Sequence, residues 1–186
     1  MKKQLKDYIK IYPNLIGQEL CNQTIKELNE SEWKLHTYYD PKKDESKSYE
    51  KELSISYLDT STKDELNKIV YASYYKYISN LKFEWFNGWQ RHTLIRFNKY
   101  DTNTQMKPHC DHIHSIFDGN EKGVPILSCL ASLNDNYEGG ELIFFEDEKI
   151  KLKAGSVMVF PSSFLYPHEV KEITKGTRYS FVSWAW

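Results

Sequence analysis

Three of the six histidines in this 186-residue sequence fall within six positions, in the segment Pro108-His109-Cys110-Asp111-His112-Ile113-His114. On a β-strand, residues i and i+2 project from the same face. His109 and Asp111 therefore point together, and Cys110 points away. One further histidine would complete a set of two imidazoles and one carboxylate. Such a set leaves coordination positions open and suits Fe(II) and oxygen chemistry. After His114 the sequence offers one more candidate, His168, within Tyr166-Pro167-His168-Glu169-Val170. A bare His-x-Asp pair recurs by chance, so alternatives stand beside it. Asp111, His112 and His114 could form a compact zinc site. His112 and His114 could equally be bystanders on the loop that leaves the strand. His36 and His92 are isolated and read as structural or surface residues.

Arg178 follows His168 by ten residues. Thr174-Lys175-Gly176-Thr177 carries a hairpin-turn signal, and a hairpin there would set Arg178 beside His168. A guanidinium is a rigid fork that matches a carboxylate through two parallel hydrogen bonds. Held near a metal, it points to an anionic cosubstrate. Ser180, Val182 and Trp184 share its alternation phase and would line the same interior face. A surface or salt-bridged arginine is an equal alternative on the pattern alone.

The elements that must hold these residues follow from periodicity. Residues 13–30 carry Leu15, Ile16, Leu20, Ile25 and Leu28 as an apolar stripe and read as a helix. Residues 62–80 read as a second helix. Thr62 and Glu65 have capping-box spacing there, and Leu66, Ile69, Val70, Tyr74, Tyr77, Ile78 and Leu81 recur at helical spacing. From residue 91 the period becomes that of strands, over 91–98, 126–133, 141–145, 149–152, 156–160, 166–173 and 178–186. Many short strands broken by turns indicate a β-sandwich or barrel. The expected fold class is α+β, a jelly-roll core with N-terminal supporting helices.

Composition bounds the rest. A length of 186 residues favours one domain, 1–186, split into a helical and mixed support region over 1–90 and a catalytic core over 91–186. A net charge of −1 argues against a bulk electrostatic grip on nucleic acid or an anionic membrane. The three cysteines, Cys21, Cys110 and Cys129, are odd in number and widely spaced, which suggests reduced thiols and a cytoplasmic setting. No apolar run reaches transmembrane length, and Lys6, Asp7 and Lys10 interrupt any signal-peptide core. The polar stretch 40–51 reads as a surface loop. The long segment 115–125 reads as a lid over a substrate, with 40–51 as a second lid candidate.

Taken together, residues 94–186 resemble the catalytic core of iron(II)/2-oxoglutarate-dependent dioxygenases, in their prolyl 4-hydroxylase-like branch. Tyr100 stands nine residues before His109, with Gln105 and Pro108 between them. Glu138-Gly139-Gly140-Glu141 matches the family's acidic glycine turn. Arg178 and Trp184 match its basic residue and its tryptophan. Ser128 falls where the family often carries a hydroxyl facing the cosubstrate. The match departs in Arg178, where that branch usually has lysine, in Met106, where it has tyrosine, and in the loop 101–104, which lacks the usual glycines.

The resemblance implies a double-stranded β-helix (jelly-roll) fold. It implies Fe(II) held by His109, Asp111 and His168, and 2-oxoglutarate bound by Arg178 and Tyr100, with Ser128 as a further contact. It brings ascorbate as an additional cofactor. The implied activity is hydroxylation of an unactivated C–H bond with O2, on a prolyl peptide or protein or on an amino acid, with succinate and CO2 as coproducts. A cupin-like metal-binding β-sandwich without oxygenase activity is one alternative. An AlkB-type nucleic-acid demethylase is another, against which the net charge counts.

Overall fold

The structure, a computed structural model, describes residues 3–40, 45–48, 51–111 and 123–186. After a 3-10 turn at Leu5–Tyr8, the N-terminal half contains β1 (Lys10–Tyr12), α1 (Gln18–Asn29), β2 (Lys34–Leu35), β3 (Tyr38–Asp40), β4 (Glu45–Lys47), β5 (Ser54–Ser56) and α2 (Lys63–Leu81). The next strands are β6 (Arg96–Tyr100), β7 (Met106–His109), β8 (Leu127–Ser132), β9 (Glu138–Gly139) and β10 (Leu142–Phe144). The last are β11 (Glu148–Ile150), β12 (Val157–Pro161), β13 (His168–Val170), β14 (Ile173–Lys175) and β15 (Arg178–Ala185).

A major sheet runs in the order β1-β12-β8-β15-β6-β5-β2, and a minor sheet in the order β11-β10-β13-β7. Every pairing between these strands is antiparallel, and one isolated bridge, Glu52 to Gln105, is parallel. Strict alternation divides the side chains of the major sheet between two cores. Ile95, Phe97, Cys129, Ala131, Phe181 and Ala185 face the helices and pack with Leu28, Leu66, Val70, Tyr74 and Tyr77. Tyr100, Leu130, Met158, Phe160, Val182 and Trp184 face the minor sheet and pack with Leu142, Phe144 and Val170. The result is α+β, two helices backing a jelly-roll core, as the patterning predicts. The N-terminal region also contributes strands: β1 and β5 extend the major sheet at opposite sides.

The hairpin expected over 174–177 does not form. β13 belongs to the minor sheet, β15 pairs with β6 and β8 in the major sheet, and β14 pairs with β9. The chain changes sheet between His168 and Arg178, so the turn signal marks a crossing. The Gly139-Gly140 turn faces this crossing. A Cβ on Gly139, whose φ is +77°, would lie 2.3 Å from the Glu172 carbonyl oxygen, so only glycine fits.

Two smaller expectations also change. Thr62 does precede α2, but its hydroxyl makes no capping bond. It lies instead 2.8 Å from the Thr24 hydroxyl and 3.0 Å from that of Thr60, tying α2 to α1. The surface loop read over 40–51 includes strand: β3 pairs with β4, through Asp40 opposite Glu45. His112, His114 and most of the lid segment 115–125 lie outside the described residues, as do residues 41–44 and 49–50.

Candidate metal centre

β7 delivers His109, and the bend that follows delivers Asp111. On the neighbouring strand, His168 stands directly opposite His109 in register. Single ligand atoms of His109, Asp111 and His168 come within 4.8 Å of one another. His109 Nε2 lies 3.6 Å and His168 Nε2 3.7 Å from the same carboxylate oxygen, Asp111 Oδ1. Among the described residues this is the one cluster of three or more such groups that could hold a metal ion.

Main-chain carbonyls fix both ring tautomers. His109 Nδ1 lies 2.8 Å from the Lys107 carbonyl oxygen, and His168 Nδ1 3.1 Å from that of Tyr166. A carbonyl can only accept, so each Nδ1 must carry the proton. Each Nε2 lone pair is then left for a metal. Burial, reinforced by the neighbouring His168, pushes the His109 pKa down to about 4, so this ring is neutral at pH 7.

Burial alone would raise the Asp111 carboxyl. His168, His109 and the Ser128 hydroxyl outweigh burial and hold it below the usual carboxylate range. Ser128 Oγ donates to Asp111 Oδ2 at 2.5 Å and contacts Ser162 Oγ at 2.7 Å. The Ser128 hydroxyl is therefore engaged with the carboxylate. The Trp184 indole also approaches Asp111, but its Nε1 completes no hydrogen bond. Phe144 stacks on the His168 ring at 5.0 Å and Phe160 meets it edge-on at 5.2 Å, which fixes the ring and shields it from water.

Beyond this trio lies a second polar cluster. Arg178 is 2% exposed and lies opposite Tyr100 in the register of β15 with β6. Its guanidinium carbon sits 4.9 Å from the centre of the Tyr100 ring. Nε and Nη1 of Arg178 are buried without hydrogen-bond partners, as is Ser180 Oγ on the same face of β15. Leaving buried donors unpaired costs roughly 1–3 kcal/mol each, more for a charged group. A row of such groups beside open metal ligands fits a missing anion, and a small dicarboxylate supplies what they lack. Burial raises the Tyr100 pKa, while Arg178 and Arg96 pull the other way. The phenol is a donor at neutral pH.

All six positions named from the sequence, His109, Asp111, His168, Arg178, Tyr100 and Ser128, thus turn to the space between the two sheets. Arg96 and Asn98, which also line this cavity, escaped the sequence reading. Their signal was available, because Arg96-x-Asn98-x-Tyr100 alternates in phase with Tyr100. His36 forms a buried contact with Glu52, Nδ1 to Oε2 at 3.2 Å. Cys110 turns from the trio toward the Phe164 carbonyl at 3.4 Å.

A jelly roll with two histidines, one carboxylate and an orphaned arginine between its sheets defines a class, the metal-dependent oxygenases that take an anionic cosubstrate. Through residues 95–186, which match its profile, the chain belongs to the 2OG-Fe(II) oxygenase superfamily. A PKHD-type hydroxylase of Acinetobacter baumannii is 36% identical over 94 residues, covering 47% of this chain and 40% of that protein. Another, from Rippkaea orientalis, is 39% identical over 98 residues, covering 50% and 42%. The chain thus spans about two-fifths of the length of these curated relatives.

The fold matches solved structures over nearly its whole length. One is a prolyl hydroxylase of Trichoplax adhaerens in complex with a hypoxia-inducible-factor peptide, with TM-score 0.70, 19% identity, and coverage of 96% of this chain and 83% of that one. Another is a prolyl-4-hydroxylase of Pseudomonas putida, with TM-score 0.68, 17% identity, and coverage of 96% and 91%.

Proposed function

We propose that this chain is an Fe(II)- and 2-oxoglutarate-dependent hydroxylase acting on a prolyl residue of a peptide or protein, or on a related amino acid. The observation that carries the reading is Arg178, a buried cation with two unpaired nitrogens beside the His109, Asp111 and His168 trio. A metal-binding sandwich without a cosubstrate would leave that cation buried to no purpose. Bound together, Fe(II) and 2-oxoglutarate supply the oxidant, from O2, that replaces a C–H bond by C–OH.

The chain's own groups do the rest. The two Nε2 lone pairs and Asp111 Oδ1 form the ligand set, and Ser128 holds the other carboxylate oxygen in place. Arg178 and Tyr100 receive the distal carboxylate of the cosubstrate. Phe144 and Phe160 keep the His168 side dry. The peptide complex of the Trichoplax neighbour supports a peptide substrate. Ascorbate as an accessory reductant and a cytoplasmic setting belong to the same proposal. The free thiols Cys21, Cys110 and Cys129 support a reducing compartment.

The test is an anaerobic titration with Fe(II) and 2-oxoglutarate, then admission of O2 while succinate is followed. Succinate should form and should vanish in His109→Ala. Arg178→Met should raise the KM for 2-oxoglutarate by about a hundredfold or more, the scale of a lost charge-assisted fork. A chain that binds no 2-oxoglutarate, or binds it equally well without Arg178, would overturn the reading. Prolyl peptides and free proline, offered in parallel, then identify the substrate.

A further inference from the structure

The cavity holds a second cation, away from Arg178. Arg96, Asn98 and Tyr100 alternate along β6 and turn to the same cavity. In the register with β15, Tyr100 faces Arg178, Asn98 faces Ser180 and Arg96 faces Val182. Arg96 thus starts from a point about 13 Å along the strand from the Arg178 pair, at roughly 3.3 Å per residue.

The Arg96 guanidinium carbon lies 4.8 Å from the centre of the Trp184 ring, and its Nε donates to Asn98 Oδ1 at 3.2 Å. Stacking and the Asn98 bond together fix the plane of the fork. Among the described residues Arg96 forms no ion pair, although Tyr57, Tyr100 and Asp111 act on it electrostatically. Trp184, on which it stacks, lies beside Asp111. A 2-oxoglutarate held by Arg178 and the metal has both carboxylates engaged, so it leaves Arg96 free for another anion.

We propose that Arg96 is a substrate-recognising cation: it takes a carboxylate of the substrate and so presents the reacting carbon to the metal trio. This rests on the reading of the trio and Arg178 given above. It deepens that reading by naming a carboxylate-bearing substrate. The carboxylate could belong to a free amino acid, a peptide C-terminus or an acidic side chain next to the target residue.

The test uses the full chain, loaded anaerobically with Fe(II) and saturating 2-oxoglutarate so that the Arg178 end is filled. Calorimetry then compares three acid and amide pairs: L-proline with L-prolinamide, N-acetyl-L-proline with its amide, and N-acetyl-Pro-Glu-amide with N-acetyl-Pro-Gln-amide. The acid of at least one pair should bind at least tenfold more tightly, and the responding pair names the source of the carboxylate. Arg96→Gln should bring that ratio close to one, and Arg96→Lys should keep part of it.

A ratio near one in every pair on the unaltered chain, whether both members bind or neither does, overturns the proposal without recourse to any variant. So does a ratio that survives Arg96→Gln. Loading is read separately, by equilibrium dialysis of labelled 2-oxoglutarate. A chain that never loads fails the metal reading itself. Normal loading without acid preference fails the Arg96 assignment alone. Loading lost in Arg96→Gln, with acid and amide weakened alike, would make Arg96 a structural counter-charge to Asp111 and also overturn the proposal.

Discussion

The two faces of the major sheet are built by the same strands and differ by a single step along the chain. Phe97 and Phe181 turn to the helices; their neighbours Arg96, Asn98, Ser180 and Val182 turn to the minor sheet. Both faces are buried and both hold polar atoms, but the unsatisfied ones concentrate on one: the helix side leaves the Tyr12 hydroxyl without a partner, the cavity side four atoms. On the helix side, the Tyr74 hydroxyl donates to the Ser183 carbonyl at 2.7 Å and the Ser73 hydroxyl to the Ile69 carbonyl at 2.7 Å. On the cavity side, Arg178 Nε and Nη1, Ser180 Oγ and Trp184 Nε1 are buried without partners. Unpaired buried groups weaken a fold. Their concentration on one face marks that face as kept for binding, while the other supplies stability.

The largest expected effect lies on the cavity face. Asp111→Ala removes the carboxylate that both Nε2 atoms face. Partners outside a metal's immediate ligands already cost about 10–100-fold when lost, so a ligand should cost more than a hundredfold in 2-oxoglutarate turnover. Its urea midpoint should fall only modestly, since the support that His168, His109 and Ser128 give the carboxylate is largely offset by the cost of burying it, and Ser128 retains Ser162. Turnover that survives, or a fold that collapses with it, would break the division between the faces.

Next comes Phe181→Ala on the helix face. Phe181 is fully buried and meets Phe97 edge-on at 6.2 Å. Truncation should cost about 3–5 kcal/mol, a large part of a typical domain's stability. Succinate formation per folded molecule should stay unchanged. Denaturant unfolding monitored alongside turnover separates the two quantities, and a loss of turnover at full folding would show that the faces are coupled.

That His109 and Asp111 lie together was legible because the information is local, while His168 came in as the one histidine left after His114. The spacing His-x-Asp brings the two groups together even though β7 ends at His109 and Asp111 stands in the bend after it, and the glycine turn and Tyr100 keep the family's spacing to it. Arg178 was found by its separation from His168, but the hairpin offered as its cause does not exist. Turn residues report that the chain reverses, and they are silent on which sheet receives it. Ser128 was placed correctly on the cavity face; only coordinates show that its hydroxyl binds Asp111. The alternation with Tyr100 could have placed Arg96 on the cavity face, but its stacking on Trp184 shows only in the coordinates. The Thr62 hydroxyl likewise went to α1, since a partner 38 residues away leaves no trace in local spacing.

A third effect concerns pH and the metal-free chain. The His109 pKa falls from 6.5 to about 4 on folding, chiefly through burial and the adjacent His168. Between those values the unfolded chain binds the extra proton and the folded chain does not. Stability from this group is therefore complete above about pH 6.5 and declines as pH falls toward 4. Urea midpoints of the apoprotein across that window should drop, and His109→Gln should flatten part of the slope. An unchanged slope would mean that the cavity face carries no such penalty.

The smallest and sharpest test compares one hydroxyl from each face. Tyr74→Phe deletes a buried donor whose partner, the Ser183 carbonyl, sits on β15. Shape is kept, so the cost should be that of one hydrogen bond, about 1–1.5 kcal/mol. Ser180→Ala, three residues earlier on the same strand, deletes a hydroxyl that has no partner. Removing an unsatisfied buried group should cost nothing and should stabilise the metal-free chain by up to about 1 kcal/mol. Opposite signs from two hydroxyl deletions, read as urea midpoints under identical conditions, would confirm that the faces differ in satisfaction rather than in polarity. A Ser180→Ala loss as large as that of Tyr74→Phe would mean that Ser180 is already bonded in the apoprotein and that the cavity face is no less satisfied than its opposite.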